Sequence, residues 1–193
     1  MSNFVVDPYR FVAGETCFES YSYENDSDNS EFASMCSTRD MFGIRVVAGS
    51  SLIGGKVTSI AFKIHVNGTG GSCGTFTSRI VADASNGATD ETAIATSTNS
   101  IAVTSVSDNY ILTFNFSGTS ALVEDNGIYL HATDTSTCMD CANNFVTITK
   151  QAPQTADSGV FRASEWGGSN FEDRNENENS TVKVCYEWYL PKY

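Results

Sequence analysis

The sequence is poor in proline, histidine and basic residues, and it holds no long apolar run. Three prolines and two histidines are spread along 193 residues, and 11 lysines and arginines stand against 23 aspartates and glutamates. The formal net charge of -12 repels phosphate backbones, so no nucleic-acid partner is expected. No segment of about 18 apolar residues occurs, and no membrane span is predicted.

A secretory signal is also missing from the first residues. Asp7, Pro8 and Arg10 interrupt any hydrophobic segment that follows Met1. If Met1 is the natural start, we expect the protein to stay inside the cell or to leave by another route, such as release within a virus particle. The expected location is therefore a virion or an extracellular surface.

What the sequence does contain is strict alternation of apolar and polar residues. Leu112, Phe114 and Phe116 recur at every second position after Tyr110, which places them on one face of a strand. Residues 56–66 and 127–132 repeat the pattern, and helical spacing extends nowhere over three turns. Roughly eight to ten short strands with polar turns predict an all-β protein, an antiparallel β-sandwich of jelly-roll type with very little helix.

Length and composition favour one folded domain preceded by an arm. The sequence predicts an N-terminal arm and polar loop over residues 1–30 and a single sandwich over residues 31–193. The arm is rich in aromatic residues, which we expect to pack on the body or on a neighbouring subunit: Phe4, Tyr9 and Phe11.

The polar loop offers weak calcium candidates. Asp26, Asp28 and Glu31 superficially resemble a calcium loop, but the glycine turn and the late bidentate glutamate of an EF-hand are absent. A solvated loop is the competing interpretation, and calcium is the one cofactor that these residues suggest.

Six cysteines are many for a chain of this length, and their even number permits full disulfide pairing. The candidates are Cys17, Cys36, Cys73, Cys138, Cys141 and Cys185. The Cys138-Met-Asp-Cys141 pair would supply two zinc ligands, yet no second pair nearby completes a tetrahedral set. Its polar surroundings predict a loop between strands, which argues against a redox-active pair at a helix start.

No residue cluster identifies a reaction. His65 and His131 both fall in the outward register of predicted strands, and no Gly-x-Ser-x-Gly motif accompanies them. Acidic pairs such as Glu165 and Glu172 are too common in this chain to indicate a glycosidase. We therefore predict that the protein is not an enzyme, with a polysaccharide lyase or glycosidase as a minor alternative.

The strongest candidate for ligand recognition is the stretch of residues 161–171. Trp166 stands there among glycines and serines and offers a flat apolar face to a sugar ring or a partner chain. Arg162, Glu165 and Asn170 are its hydrogen-bonding neighbours. The competing interpretation is that Trp166 closes the open end of the sandwich.

Four segments together resemble a known group of modules. They are residues 74–81 (GTFTSRIV), 95–101 (ATSTNSI), 111–118 (ILTFNFSG) and 125–130 (DNGIYL). They are similar to β-sandwich modules, resembling carbohydrate-binding modules, of microbial surface, filament and virus tail or capsid-associated proteins. The resemblance covers about residues 56–133, and the early cysteines and the Cys138–Cys141 loop depart from it.

Two functions follow as expectations. The first is a non-enzymatic structural protein that assembles with copies of itself or with other structural chains, at the surface of a virion (as a capsid, decoration or tail component) or in an extracellular filament. The alternative is a carbohydrate-binding or adhesion module that recognises glycans through the aromatic stretch.

Overall fold

The computed structural model describes residues 15–19, 30–35, 40–67, 74–102, 110–133, 145–151, 161–173, 179–180 and 182–188. These residues form β-strands and connecting turns, and none of them lies in a helix. The strands are β1 (Thr16–Glu19), β2 (Ser30–Met35), β3 (Met41–Val46), β4 (Lys56–Asn67), β5 (Thr75–Val81), β6 (Ala93–Thr96), β7 (Ile101–Ala102), β8 (Tyr110–Asn115), β9 (Gly127–Ala132), β10 (Phe145–Gln151), β11 (Phe161–Trp166), β12 (Phe171–Asp173), β13 (Asn179–Ser180) and β14 (Val182–Glu187).

The strands build two antiparallel sheets that pack face to face, which confirms the predicted β-sandwich. The first sheet has the order β1-β14-β4-β10-β13, with β2 on β10 and β8 on β4. The second sheet has the order β12-β11-β3-β9-β5-β6, with β7 also on β5.

The strand order is that of a jelly roll. Eight jelly-roll strands, lettered B to I along the chain, pair as B-I-D-G in one sheet and C-H-E-F in the other. Here β2-β10-β4-β8 and β3-β9-β5-β6 reproduce the two orders, with β2 as strand B and β10 as strand I. The remaining strands add to this frame: β11 and β12 extend the second sheet beyond β3, and β14 and β1 extend the first beside β4.

The predicted inward faces fill the space between the sheets. Ile60, Phe62 and Ile64 of β4 are fully buried, and they meet Leu112 and Phe114 of β8 in one cluster. The rings of Phe62 and Phe114 pack edge to face with centroids 6.3 Å apart. The alternation of the sequence is thus realised as the sandwich core, which includes residues of both sheets.

The second sheet carries a smaller apolar cluster on its outer face. Its members are Met41, Val81, Ala84, Tyr129, Trp166 and Phe171. The segment after β5 packs on this face through Ala84 and Ala88. It is also joined to β12, because Gly87 N donates to Phe171 O (2.7 Å) and Phe171 N donates to Ala88 O (2.8 Å). Both sides of the second sheet are therefore buried in this region.

Glycine at position 127 is required by this covering. A Cβ atom there would lie 2.1 Å from Cε2 of Tyr129 and 2.6 Å from Cβ of Ala84. The predicted turn precedes the strand, and Asn126 fixes it by accepting from Val123 N (2.9 Å) and donating to Ala82 O (2.8 Å). Asp125 takes a φ of 65° in this turn.

The boundary of the predicted arm falls after a strand of the sandwich. Residues 16–19 form β1, which pairs with β14, and Cys17 is disulfide-bonded to Cys185. The candidates Cys36, Cys73, Cys138 and Cys141 lie outside the described residues, as do the arm residues Phe4, Tyr9 and Phe11.

Candidate functional site

The aromatic stretch predicted to bind a ligand is a tight hairpin. Strands β11 and β12 pair from Ser164↔Asp173 to Trp166↔Phe171, and Gly167 N donates to Asn170 O (2.9 Å) across the turn. Gly168 has a φ of 90°, a left-handed conformation that glycine adopts without strain. Trp166 is thus the last residue of a strand, and the glycines and serines after it form the turn.

Trp166 faces the outer cluster of the second sheet and is only 8% exposed. Its ring packs edge-on against Phe171 (4.9 Å between centroids), which in turn stacks on Tyr129 (5.2 Å). The indole ring is therefore almost entirely enclosed by its neighbours. A glycan contact at Trp166 stays a prediction, and the ring would have to gain exposure to make it.

Of the other predicted ligand residues, Glu165 and Asn170 have described side chains. Glu165 is 1% exposed and pairs with Phe42, a core residue, so it points to the face opposite that of Trp166. Asn170 lies in the turn and donates through Nδ2 to Phe171 O (3.3 Å). Arg162 is a residue of β11 whose side chain lies outside the described part of the chain.

A polar cluster lies on the same outer face, at β9 and its two neighbours. The His131 ring is 5% exposed, with Nδ1 3.4 Å from Thr77 Oγ1 and Nε2 3.8 Å from Asp40 Oδ2. Burial, helped by the Arg79 guanidinium, lowers the pKa of His131 to about 4, so the ring is neutral at pH 7. Burial also raises the pKa of Asp40. Sequence periodicity places His131 outward, and the structure shows that outward does not mean exposed.

Tyr129 links the aromatic and polar parts of this face. Its hydroxyl donates to Ser164 Oγ (2.8 Å), and both side chains are fully buried. Burial raises the Tyr129 pKa far above its ordinary value, which keeps the hydroxyl protonated. This buried hydrogen bond holds the Tyr129 ring in one orientation within the outer cluster.

An arginine with two carboxylates fastens the added hairpin to the jelly roll. Arg45 Nε and Nη2 donate to the two carboxylate oxygens of Asp173 (2.9 and 2.6 Å), and Nη1 donates to Asp125 Oδ1 (2.6 Å). The guanidinium is 14% exposed, and its pKa is raised chiefly by the hydrogen bonds to Asp173. The three residues come from β3, the turn before β9, and β12, which periodicity alone cannot bring together.

Two of the large apolar side chains exposed in the described residues lie on segments that meet at one end of the sandwich. Val123 is 54% exposed and Trp188 is 40% exposed. The main chain joins these segments, because Gly54 N donates to Leu122 O (2.8 Å) and Leu122 N donates to Gly55 O (2.9 Å). We call the surface of Val123 and Trp188 the apolar end patch.

Trp188 is held firmly in this patch. A Cβ on Gly54 would lie 2.6 Å from Cζ3 of Trp188, so the ring rests directly on the glycine backbone. The Tyr186 ring supports it edge-on, with centroids 5.8 Å apart. The remaining large exposed side chain of the described residues, Ile94 (51%), lies in β6 of the other sheet.

The structure provides no description of the side chains predicted as weak calcium ligands. Asp26 and Asp28 lie outside the described residues, and for Glu31 only the backbone of β2 is described. Within the described ranges no three His, Cys, Asp or Glu side chains are grouped as metal ligands would be. The same ranges contain no helix long and apolar enough to span a membrane.

Comparison of the chain with protein-family models, curated proteins and solved structures finds no match.

Proposed function

We propose that this chain is a non-enzymatic structural protein that assembles with copies of itself or with other structural chains, at the surface of a virion or of an extracellular filament. The observation that carries the proposal is the apolar end patch on a jelly roll. Val123 and Trp188 expose large apolar side chains on neighbouring segments of a strongly acidic chain. A surface to which neighbouring segments each bring an exposed apolar side chain is a candidate contact surface.

The fold supports the same proposal. Jelly rolls are the architecture of many viral capsid proteins and of lectin domains. Large side chains such as Phe62, Phe76 and Phe114 fill the interior between the sheets. Recognition therefore falls to the surface, and fold likeness alone does not choose the partner.

The charge of the chain predicts how assembly responds to salt. Copies that each carry a net charge of -12 repel one another. At physiological ionic strength, salt largely screens the repulsion between charges that are more than about 8 Å apart. Contact through uncharged side chains does not weaken in salt. We therefore expect association to strengthen as salt is added, the opposite of an interface built from ion pairs.

Two matched substitutions test the role of the patch. Val123→Asp places a carboxylate on the patch, whereas Ile94→Asp places one at a similarly exposed site on the other sheet. A charge buried in an apolar contact is costly, so we expect Val123→Asp to weaken association at least about tenfold, or 1.4 kcal/mol. Ile94→Asp should leave it unchanged. Light scattering over a concentration series measures both, and equal behaviour of the two variants would reject the patch as the contact surface.

A further inference from the structure

Strand β1 is a short strand at the edge of the first sheet. Its four residues pair with β14 from Thr16↔Tyr186 to Glu19↔Lys183, and β14 pairs on its other side with β4. Within the described part of the chain, β1 has no second strand beside it. Such a strand contributes one ladder of main-chain hydrogen bonds and is the easiest to exchange.

Three side chains hold β1 in place. Cys17 forms a disulfide with Cys185, Phe18 packs against the sandwich core, and Thr58 Oγ1 donates to Glu15 Oε1 (2.5 Å). Cys17 is an exposed residue and Cys185 is 6% exposed, so the disulfide lies at the surface on its Cys17 side.

Departure of β1 leaves a specific vacancy. The four residues of β14 that pair with β1, Lys183 to Tyr186, then present an open strand edge. Cys185 lies on this open edge, opposite the position that Cys17 occupied. The place where the Phe18 ring packed against the core is then also empty. The segment that fits both features in this register is β1 itself, from the same copy or from another.

We propose that the β14 edge receives β1 of a second copy, so that the Cys17–Cys185 disulfide becomes a covalent link between chains. This proposal rests on the proposed assembly function. The partner is a second copy of the chain, and thiol–disulfide exchange controls its attachment. Exchange of an identical element keeps every native contact of β1, and its free energy therefore depends mainly on the connecting segment and on protein concentration. The sequence connects β1 to β2 by ten residues, 20–29, which span at most about 35 Å when extended.

The chemical step is thiol–disulfide exchange with a small thiol. A thiolate attacks Sγ of Cys17, forms a mixed disulfide with it and releases Cys185 as a thiolate. A second thiol resolves the mixed disulfide and leaves two cysteine thiols and one oxidised small-thiol disulfide. The reverse sequence with the oxidised small thiol then joins Cys17 of one copy to Cys185 of another. Each cycle is balanced: two small thiols give two electrons to the protein disulfide, and the oxidised small-thiol disulfide takes them back when the new bridge forms.

An isotope-mixing experiment with the full chain tests the exchange. Equal amounts of unlabelled and ¹⁵N-labelled protein are mixed at high concentration in a buffer of reduced and oxidised glutathione, then alkylated and separated by size. Chymotryptic mapping isolates the linked peptide of Cys17 and Cys185, since Phe18 provides a cleavage site between Cys17 and Cys36. The same mixture without glutathione is the control.

We expect about half of the linked peptides in the assembled fraction to combine one labelled and one unlabelled half, as random pairing between copies requires. The control should contain none. An assembled fraction whose linked peptides are all of one isotope would overturn the exchange and leave the proposed assembly intact. The absence of any assembled fraction would overturn both.

A second pair of proteins gives an independent reading. Neither Cys17→Ser nor Cys185→Ser can close the bridge within one chain, but a mixture of the two can close it between chains. We expect the linked peptide to form on oxidation of the mixture and not in either variant alone. Failure of the folded mixture to form it would contradict the exchange.

Discussion

The ion-pair cluster of Arg45 allows the sharpest stability prediction. Arg45→Met removes a bidentate pair with Asp173 and a single hydrogen bond to Asp125 while keeping an unbranched apolar stem. The Asp173 side chain is 17% exposed, so its carboxylate is left largely desolvated and without its cation. Removing one partner of a fully buried pair costs about 3 to 5 kcal/mol, and the partial exposure here reduces the Asp173 part to about 2 kcal/mol.

The Asp125 contact adds less. That side chain is 37% exposed, and solvent screening holds such a pair to about 1 kcal/mol or below. We therefore expect Arg45→Met to lower the free energy of unfolding by about 3 kcal/mol in total. Urea denaturation followed by tryptophan fluorescence measures the change.

A double-mutant cycle separates the ion pair from the loss of packing. The cycle combines Arg45→Met with Asp173→Asn, and Asp125→Asn serves as the control for the weaker contact. A coupling energy of about 2 kcal/mol between Arg45 and Asp173 is expected, and about 1 kcal/mol or less between Arg45 and Asp125. A loss below about 1 kcal/mol for Arg45→Met, with no coupling to Asp173, would refute the claim that this cluster fastens the hairpin.

Two further predictions concern the outer face of the second sheet. Because the unfolded-state pKa of histidine near 6.5 exceeds the value of about 4 for folded His131, stability from this residue is complete above pH 6.5 and falls by up to about 3 kcal/mol toward pH 4. The raised pKa of Asp40 offsets part of that loss at the acid end; a His131→Gln variant whose pH–stability curve matches that of the native protein would contradict this. Trp166→Ala should cost about 3 kcal/mol of unfolding free energy through lost packing, and a near-neutral effect in urea denaturation would show that the ring is not part of the outer cluster.

Much of the fold was predictable because strand alternation is a local signal. The period of two placed Ile60, Phe62 and Phe114 on inward faces, and the structure confirms them as core residues. The number of strands and the polar turns between them indicated a sandwich. The strand order follows from pairing between distant segments, and in the structure it is that of a jelly roll.

The burial of outward-facing side chains could not be predicted, because segments distant in sequence cover them. His131 was predicted to face outward, yet it is 5% exposed. For the second sheet, part of the reason is that Trp166 and Phe171 of the added strands pack with Ala84 of the segment after β5 on the outer face. When the outer side of a sheet carries both polar and apolar residues, the local sequence pattern does not predict that this side is buried.

The candidate site was located less well than the fold. Composition drew attention to Trp166 because glycine and serine surround it, but a positive φ at Gly168 makes those residues a turn within a hairpin. Trp188 follows the last strand, β14, and no signal in the sequence indicated its position. The ring rests on Gly54, which is distant in sequence and has no Cβ to obstruct it.

The most direct test of the proposed function is the mass of the native protein in solution. Light scattering across a range of protein and salt concentrations measures it without a ligand or a label. Assembly predicts a defined species that is a multiple of 20.8 kDa and that gains population as protein or salt increases. A monomer of 20.8 kDa at every concentration and salt would contradict the proposal that this chain is a self-assembling structural protein.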